Sequence, residues 1–136
     1  MSYFCDLEKY SSNIAIVTEH SKQLNYKDFL NDSDFIGNHV KKRCLVFIVC
    51  KNSLESVAGY IGFMRAGITI ALISNTIDKI LFKKLLKLYK PKYIYLPTER
   101  KEFIIKSTLI CTYHNYLLVK TKYKTDYILH EELALL

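Results

Sequence analysis

Cys44-Leu45-Val46-Phe47-Ile48-Val49-Cys50 is seven apolar residues in a row, with no polar alternation. A strand with one wet face alternates apolar and polar residues, whereas a strand covered on both faces does not. The run therefore predicts a strand inside a sheet that has helices on both sides. Residues 68–74 and 92–96 repeat the pattern. The segments between them have helical spacing. Leu54, Val57, Ala58, Ile61 and Met64 form one apolar stripe. Ile77, Ile80, Leu81, Leu85 and Leu88 form another, supported by Phe82 and Leu86. Strand, helix, strand, helix, strand implies right-handed crossovers and a parallel sheet. The expected fold class is α/β: three layers, a mostly parallel sheet flanked by helices, with short β-hairpin pieces near both ends.

Turn and cap residues set the expected boundaries. Residues 14–18 read as a strand, followed by a polar turn and a short partner at 23–24. Asn25, with Asp28 three residues on, predicts a helix start. Phe29, Ser33, Ile36, Gly37 and Val40 recur at helical spacing, and Lys41-Lys42-Arg43 suit the helix end. Asn52 is the expected cap of the second helix, with Glu55 at its third position. Gly59 and Gly62 are expected to let that helix pack closely on the sheet, and Gly67 to end it in the left-handed conformation. Asn75 or Thr76 is expected to cap the third helix, and Pro91 to stop it near Tyr89. Residues 99–105 suggest a short helix. Residues 109–113 and 116–122 suggest a hairpin turning at His114-Asn115.

Composition narrows the class. The chain has 136 residues, enough for one domain with a real core, and half are apolar. Eleven Tyr against four Gly and two Pro argue against disorder and long flexible linkers. No apolar run approaches the roughly 18 residues of a membrane span. The start, Met1-Ser2-Tyr3-Phe4-Cys5-Asp6, has neither the basic nor the apolar region of a signal peptide. A cytoplasmic location is expected. Cys5, Cys44, Cys50 and Cys111 are scattered without a CxxC pair, which favours small buried hydrophobes over redox or zinc chemistry.

The net charge is +7. Lys79, Lys83, Lys87 and Lys90 recur at helical spacing on one side, with Lys84 nearby. Such a cluster reads as a solvated face opposite a core, or as a phosphate or RNA surface. No RRM or KH signature accompanies it, so nucleic acid is not the expected partner. A stand-alone basic α/β module that binds nucleic acid or an acidic partner is the alternative reading.

The pattern of chemical residues is sparse. Neither GxGxxG nor GxxxxGK[ST] occurs, and Gly59 and Gly62 lie inside an expected helix. His20, His39, His114 and His130 are dispersed and read as surface or capping residues. Glu131 and Glu132 read as solvated acids rather than a catalytic pair. No residue qualifies as catalytic, cofactor-binding or metal-ligating.

Four stretches and a chain end, in order, resemble the start of the AMP-binding, adenylate-forming superfamily of acyl-CoA synthetases, peptide-synthetase adenylation domains and luciferases. Leu24-Asn25-Tyr26-Lys27-Asp28-Phe29 is similar to the family's early Leu-Thr-Tyr-x-Glu-Leu. The strand at 44–50 with Lys51-Asn52-Ser53-Leu54-Glu55 resembles its strand and Asn-Ser-x-Glu turn. Tyr60-Ile61-Gly62-Phe63-Met64-Arg65-Ala66-Gly67 matches its Tyr-x-x-x-x-(Lys/Arg)-Ala-Gly helix end. Ile70-Ala71-Leu72-Ile73 departs from its Val-Pro-Leu, and Pro91-Lys92-Tyr93 falls where its next strand begins. Glu131-Glu132-Leu133-Ala134-Leu135-Leu136 looks like the Asp-Leu-Ala-Leu-Leu lead-in to the family's phosphate loop.

The resemblance implies that residues 1–136 are one domain, the N-terminal part of a longer ligase stopping before that loop. It implies an ATP- and magnesium-dependent enzyme that activates a carboxylate as an acyl-adenylate. The acyl group then passes to a thiol such as coenzyme A or a carrier-protein arm, or to another acceptor. The expected partners are the downstream ATP-binding subdomain and the C-terminal lid. This part alone is expected to bind no cofactor, to be inactive and to self-associate through uncovered apolar surface. None of the matched motifs contains a residue of the family's chemistry.

Overall fold

The computed structural model describes residues 3–103 and 106–136. After a 3-10 turn at Leu7–Tyr10, strands β1 (Ile14–Val17) and β2 (Gln23–Asn25) form an antiparallel pair. The chain continues through α1 (Tyr26–Gly37), β3 (Leu45–Cys50), α2 (Leu54–Arg65), β4 (Thr69–Ser74), α3 (Lys79–Tyr89) and β5 (Tyr93–Pro97). A 3-10 segment, Thr98–Phe103, leads to β6 (Thr108–Tyr113) and β7 (Tyr116–Lys120).

The main sheet has the order β4-β3-β5-β7-β6. β3 pairs in parallel with β4 and β5, while β7 runs antiparallel between β5 and β6. Successive residues of β3 feed opposite layers. Val46 and Ile48 join a core with α1 and α2, through Ile36, Ala58 and Phe63. Leu45, Phe47 and Val49 join a second core with α3, through Phe82 and Leu86. The fold class is the expected one. The late hairpin is no separate piece, however, because its backbone groups complete the main sheet.

Several boundaries differ from expectation. Asn25 caps α1 as expected, accepting the Asp28 amide at 2.8 Å. The helix nevertheless ends at Gly37, so Lys41, Lys42 and Arg43 lie beyond it. Ser53, not Asn52, caps α2, and Asp78, not Asn75 or Thr76, caps α3. Each helix is preceded by more than one competent cap, and tertiary packing selects among them. Tyr89 ends α3 as expected, with Lys90 left-handed at φ 47°. Only Thr69, Ile70 and Ala71 of β4 are buried, because β4 is an edge strand of the main sheet. The last two residues of the expected helix at 99–105 lie outside the described residues.

The buried faces of α2 and α3 are rotated from the expected stripes. Val57 is exposed on α2, where Ser56, Gly59 and Gly62 are buried instead. On α3 the exposed side chains include Ile80 (67%), Leu81 (50%) and Leu88 (68%), while Phe82 and Leu86 are buried. The glycines serve two different contacts. A Cβ on Gly59 would fall 2.3 Å from the Tyr95 ring, so this one faces the sheet. A Cβ on Gly62 would fall 2.0 Å from the Ser33 carbonyl oxygen, and one on Gly37 2.2 Å from the Gly62 carbonyl. Gly62 therefore permits an α1–α2 backbone crossing, not contact with the sheet. Arg65 ties the same pair of helices. Its guanidinium grips Asp34 with two nitrogens, at 2.8 and 3.1 Å, and also holds Glu8 and the Phe4 carbonyl.

Candidate site at the carboxyl edge of the parallel strands

In open α/β sheets, chemistry gathers beyond the carboxyl ends of parallel strands where successive crossovers diverge. From β3 the chain crosses to β4, and from β4 it crosses back over β3 to β5. The loops beyond Cys50, Ser74 and Pro97 therefore define the candidate site.

Lys51, just past β3, donates to Glu99, just past β5, at 2.8 Å. That bond holds the Glu99 carboxyl below its ordinary range and raises the Lys51 ammonium. Arg100 donates to the carbonyls of Asn75 and Ile77, tying the loop after β4 to the segment after β5. Asn75 in turn donates its amide to the Cys50 carbonyl at 3.1 Å. Its side-chain oxygen is buried without a hydrogen-bond partner. Three loops are thus laced together by two cations that are already satisfied.

Beneath them lies a relay of hydroxyls. The Tyr116 hydroxyl is 2.7 Å from both the Val49 carbonyl and the Ser56 hydroxyl. Tyr116 has one proton and the carbonyl has none, so Tyr116 donates to Val49 and Ser56 donates to Tyr116. Ser56 also accepts the Lys51 amide at 2.9 Å. Tyr95 donates to the Glu55 carbonyl at 2.8 Å. These bonds fix the start of α2 over the ends of β3, β5 and β7. Burial pushes the Tyr95 and Tyr116 hydroxyls upward, which keeps them neutral and unsuited to proton transfer.

The C-terminal segment reaches the same sheet. Ile70 of β4 bridges Leu135 in parallel, with Ile70 donating to Ala134 and Leu136 to Ile70, both at 2.9 Å. Arg43 clamps this segment through the carbonyls of Gly67, His130 and Leu133 at 2.9, 2.7 and 2.6 Å. Sequence patterning flagged the apolar end but had no means to place it, because the pairing spans half the chain. The four histidines do not converge. His39 meets the Phe35 carbonyl, His114 turns the late hairpin at φ 49°, His130 accepts the Glu132 amide, and His20 lies beside Glu19. No group of His, Cys, Asp and Glu among the described residues could hold a metal ion. No helix among them is long and apolar enough to cross a membrane.

No protein-family profile matches the sequence, and no curated protein matches it. Solved structures do match. Apo MatB from Rhodopseudomonas palustris aligns with a TM-score of 0.62 at 14% identity, over 68% of this chain and 19% of that one. The luciferase-like enzyme from the nonluminescent Zophobas morio mealworm gives 0.63 at 20%, over 71% and 24%. The anthranilate CoA ligase AuaEII, in complex with anthranoyl-AMP, gives 0.64 at 16%, over 73% and 20%. What this likeness shows is a shared fold. The chain spans about a fifth to a quarter of the length of these structures.

Proposed function

We propose that this chain is the N-terminal scaffold of an ATP-dependent acid ligase. The complete enzyme activates a carboxylate as its adenylate and passes the acyl group to a thiol, coenzyme A or a carrier arm, or to another acceptor. The observation that carries this reading is the parallel placement of Leu133–Leu136 beside β4, bridged at Ile70. A chain continuing in that direction heads toward the carboxyl edge of the sheet. That is where a phosphate loop following the Leu-Ala-Leu-Leu lead-in belongs.

On this reading the groups for adenylyl transfer lie outside the scaffold. That reaction needs preorganised donors and cations aimed at phosphate oxygens. Lys51 and Arg100, two of the cations at this edge, are committed to Glu99 and to backbone carbonyls. The proposal gives ATP, magnesium, the carboxylate and the acceptor to downstream sequence.

Carboxylate-dependent ATP–pyrophosphate exchange tests the reading. The isolated 136-residue chain is expected to show none, and the product of the whole reading frame is expected to show it. Exchange by the isolated chain overturns the proposal. So does a reading frame without a Ser/Thr-Ser-Gly-x-Thr-Gly-x-Pro-Lys loop after Leu136.

A further inference from the structure

A groove of about 420 Å³ lies between α3, β5 and the segment that follows β7. Its size falls within the ~300–1,000 Å³ typical of small-molecule sites. Leu86, Ile94, Phe103 and Tyr123 give it an apolar lining. Phe103 is held in place by stacking on Phe82 at 4.2 Å and by the Arg100 guanidinium 4.0 Å from its ring centroid. Four lysines complete the lining: Lys83 and Lys87 from α3, Lys106 before β6, and Lys122 after β7. None of the four makes an ion pair or side-chain hydrogen bond among the described residues. No carboxylate is among the described lining residues.

We infer that this groove binds a small anionic amphiphile, an apolar chain or ring carrying a carboxylate or phosphate. Four cations without partners among the described residues around an apolar floor favour one ligand chemistry: the apolar body fills the floor and the anion meets the ammonium groups. Polyanionic RNA fits less well, since it calls for an extended basic track with exposed stacking aromatics, and Phe103 is buried. The groove shares only the 98–103 segment with the carboxyl edge. Ile94 sits near the start of β5, and Thr121 donates its amide to Lys92, so the groove lies toward the amino end of that strand. It rests on this chain's own residues and does not depend on the ligase reading.

Calorimetric titration of the 136-residue chain with decanoate, decyl phosphate and decanol tests the assignment. Saturable binding of one or both anions is expected, with decanol at least about tenfold weaker. The decanoate and decyl phosphate arms tell which head group is preferred. The exposed double substitution Lys87→Glu with Lys122→Glu is expected to weaken anion binding by about tenfold or more at unchanged far-ultraviolet dichroism. Lys41→Glu with Lys42→Glu, away from the groove, is expected to leave it unchanged. Three results overturn the inference: no saturable anion binding up to about 1 mM, decanol binding as well as decanoate, or binding indifferent to the groove substitutions. Salt-sensitive RNA binding that decanoate does not displace overturns it as well.

Discussion

Gly62 and Gly59 stand three residues apart on one helix, and a methyl group at each meets a different kind of obstacle. At Gly62 the obstacle is the Ser33 backbone carbonyl, which cannot rotate away. At Gly59 it is the edge of the Tyr95 ring. Gly→Ala gains about 1 kcal/mol of helix propensity at either site, against an overpacking cost of about 1–3 kcal/mol or more. Gly62→Ala is expected to be destabilising by about 2 kcal/mol or more and worse than Gly59→Ala in urea unfolding. Equal effects would mean that α1 slides freely over α2. The Tyr116 hydroxyl offers a second test. Tyr116→Phe leaves the Val49 carbonyl and the Ser56 hydroxyl short of a partner, at an expected cost of about 1–3 kcal/mol. Ser56→Ala should show coupling with it in a double-mutant cycle, and strict additivity would dissolve the relay.

At the scale of elements, legibility followed locality. β3 was readable because a run of seven apolar residues has few alternatives. The Asn25 cap was readable because its bond spans three residues. The third helix was misphased because leucines and isoleucines lie on more than one arc of α3, and only contact with Phe47 and Phe103 picks out Phe82. The caps of α2 and α3 shifted because Asn52 and Ser53, or Asn75, Thr76 and Asp78, are chemically interchangeable there. The carboxyl-edge loops and the groove could not be read, since each joins residues from three separate parts of the chain. The clamp on the last segment is of the same non-local kind. Arg43→Ala removes three charge-assisted bonds to carbonyls. Amide exchange at Leu136 is expected to accelerate about tenfold or more, with little change in α2. Unaltered exchange at Leu136 would show that Arg43 does not hold the segment.

For the whole molecule, the titrating core side chains bias stability toward neutral pH. Burial pushes the Cys44 thiol from 9.0 up to about 11, and it raises the Tyr95, Tyr113 and Tyr116 hydroxyls as well. A raised pKa in an acid favours its neutral form in the folded state. The stabilisation is full below the unfolded values near 9 and 10 and is lost as pH rises through the folded ones. The urea midpoint is therefore expected to fall from about pH 9 upward. Lysine deprotonation relieves the +7 net charge in the opposite sense, so Cys44→Ala provides the control. Its midpoint should decline less between about pH 9 and 11, and parallel declines would remove Cys44 from the account.

The pairing of Ile70 with Leu135 also sets a timetable. The partner is made 65 positions after the strand it completes, since 135 minus 70 is 65. At synthesis rates of about 5–20 residues per second, the outer backbone of β4 waits roughly 3–13 s for its neighbour on the ribosome. During that interval the nascent chain carries a bare, half-apolar edge able to pair with any passing strand. The newborn protein is thus at its most vulnerable in mid-synthesis, and slowing elongation downstream of Ser74 would lengthen the exposure.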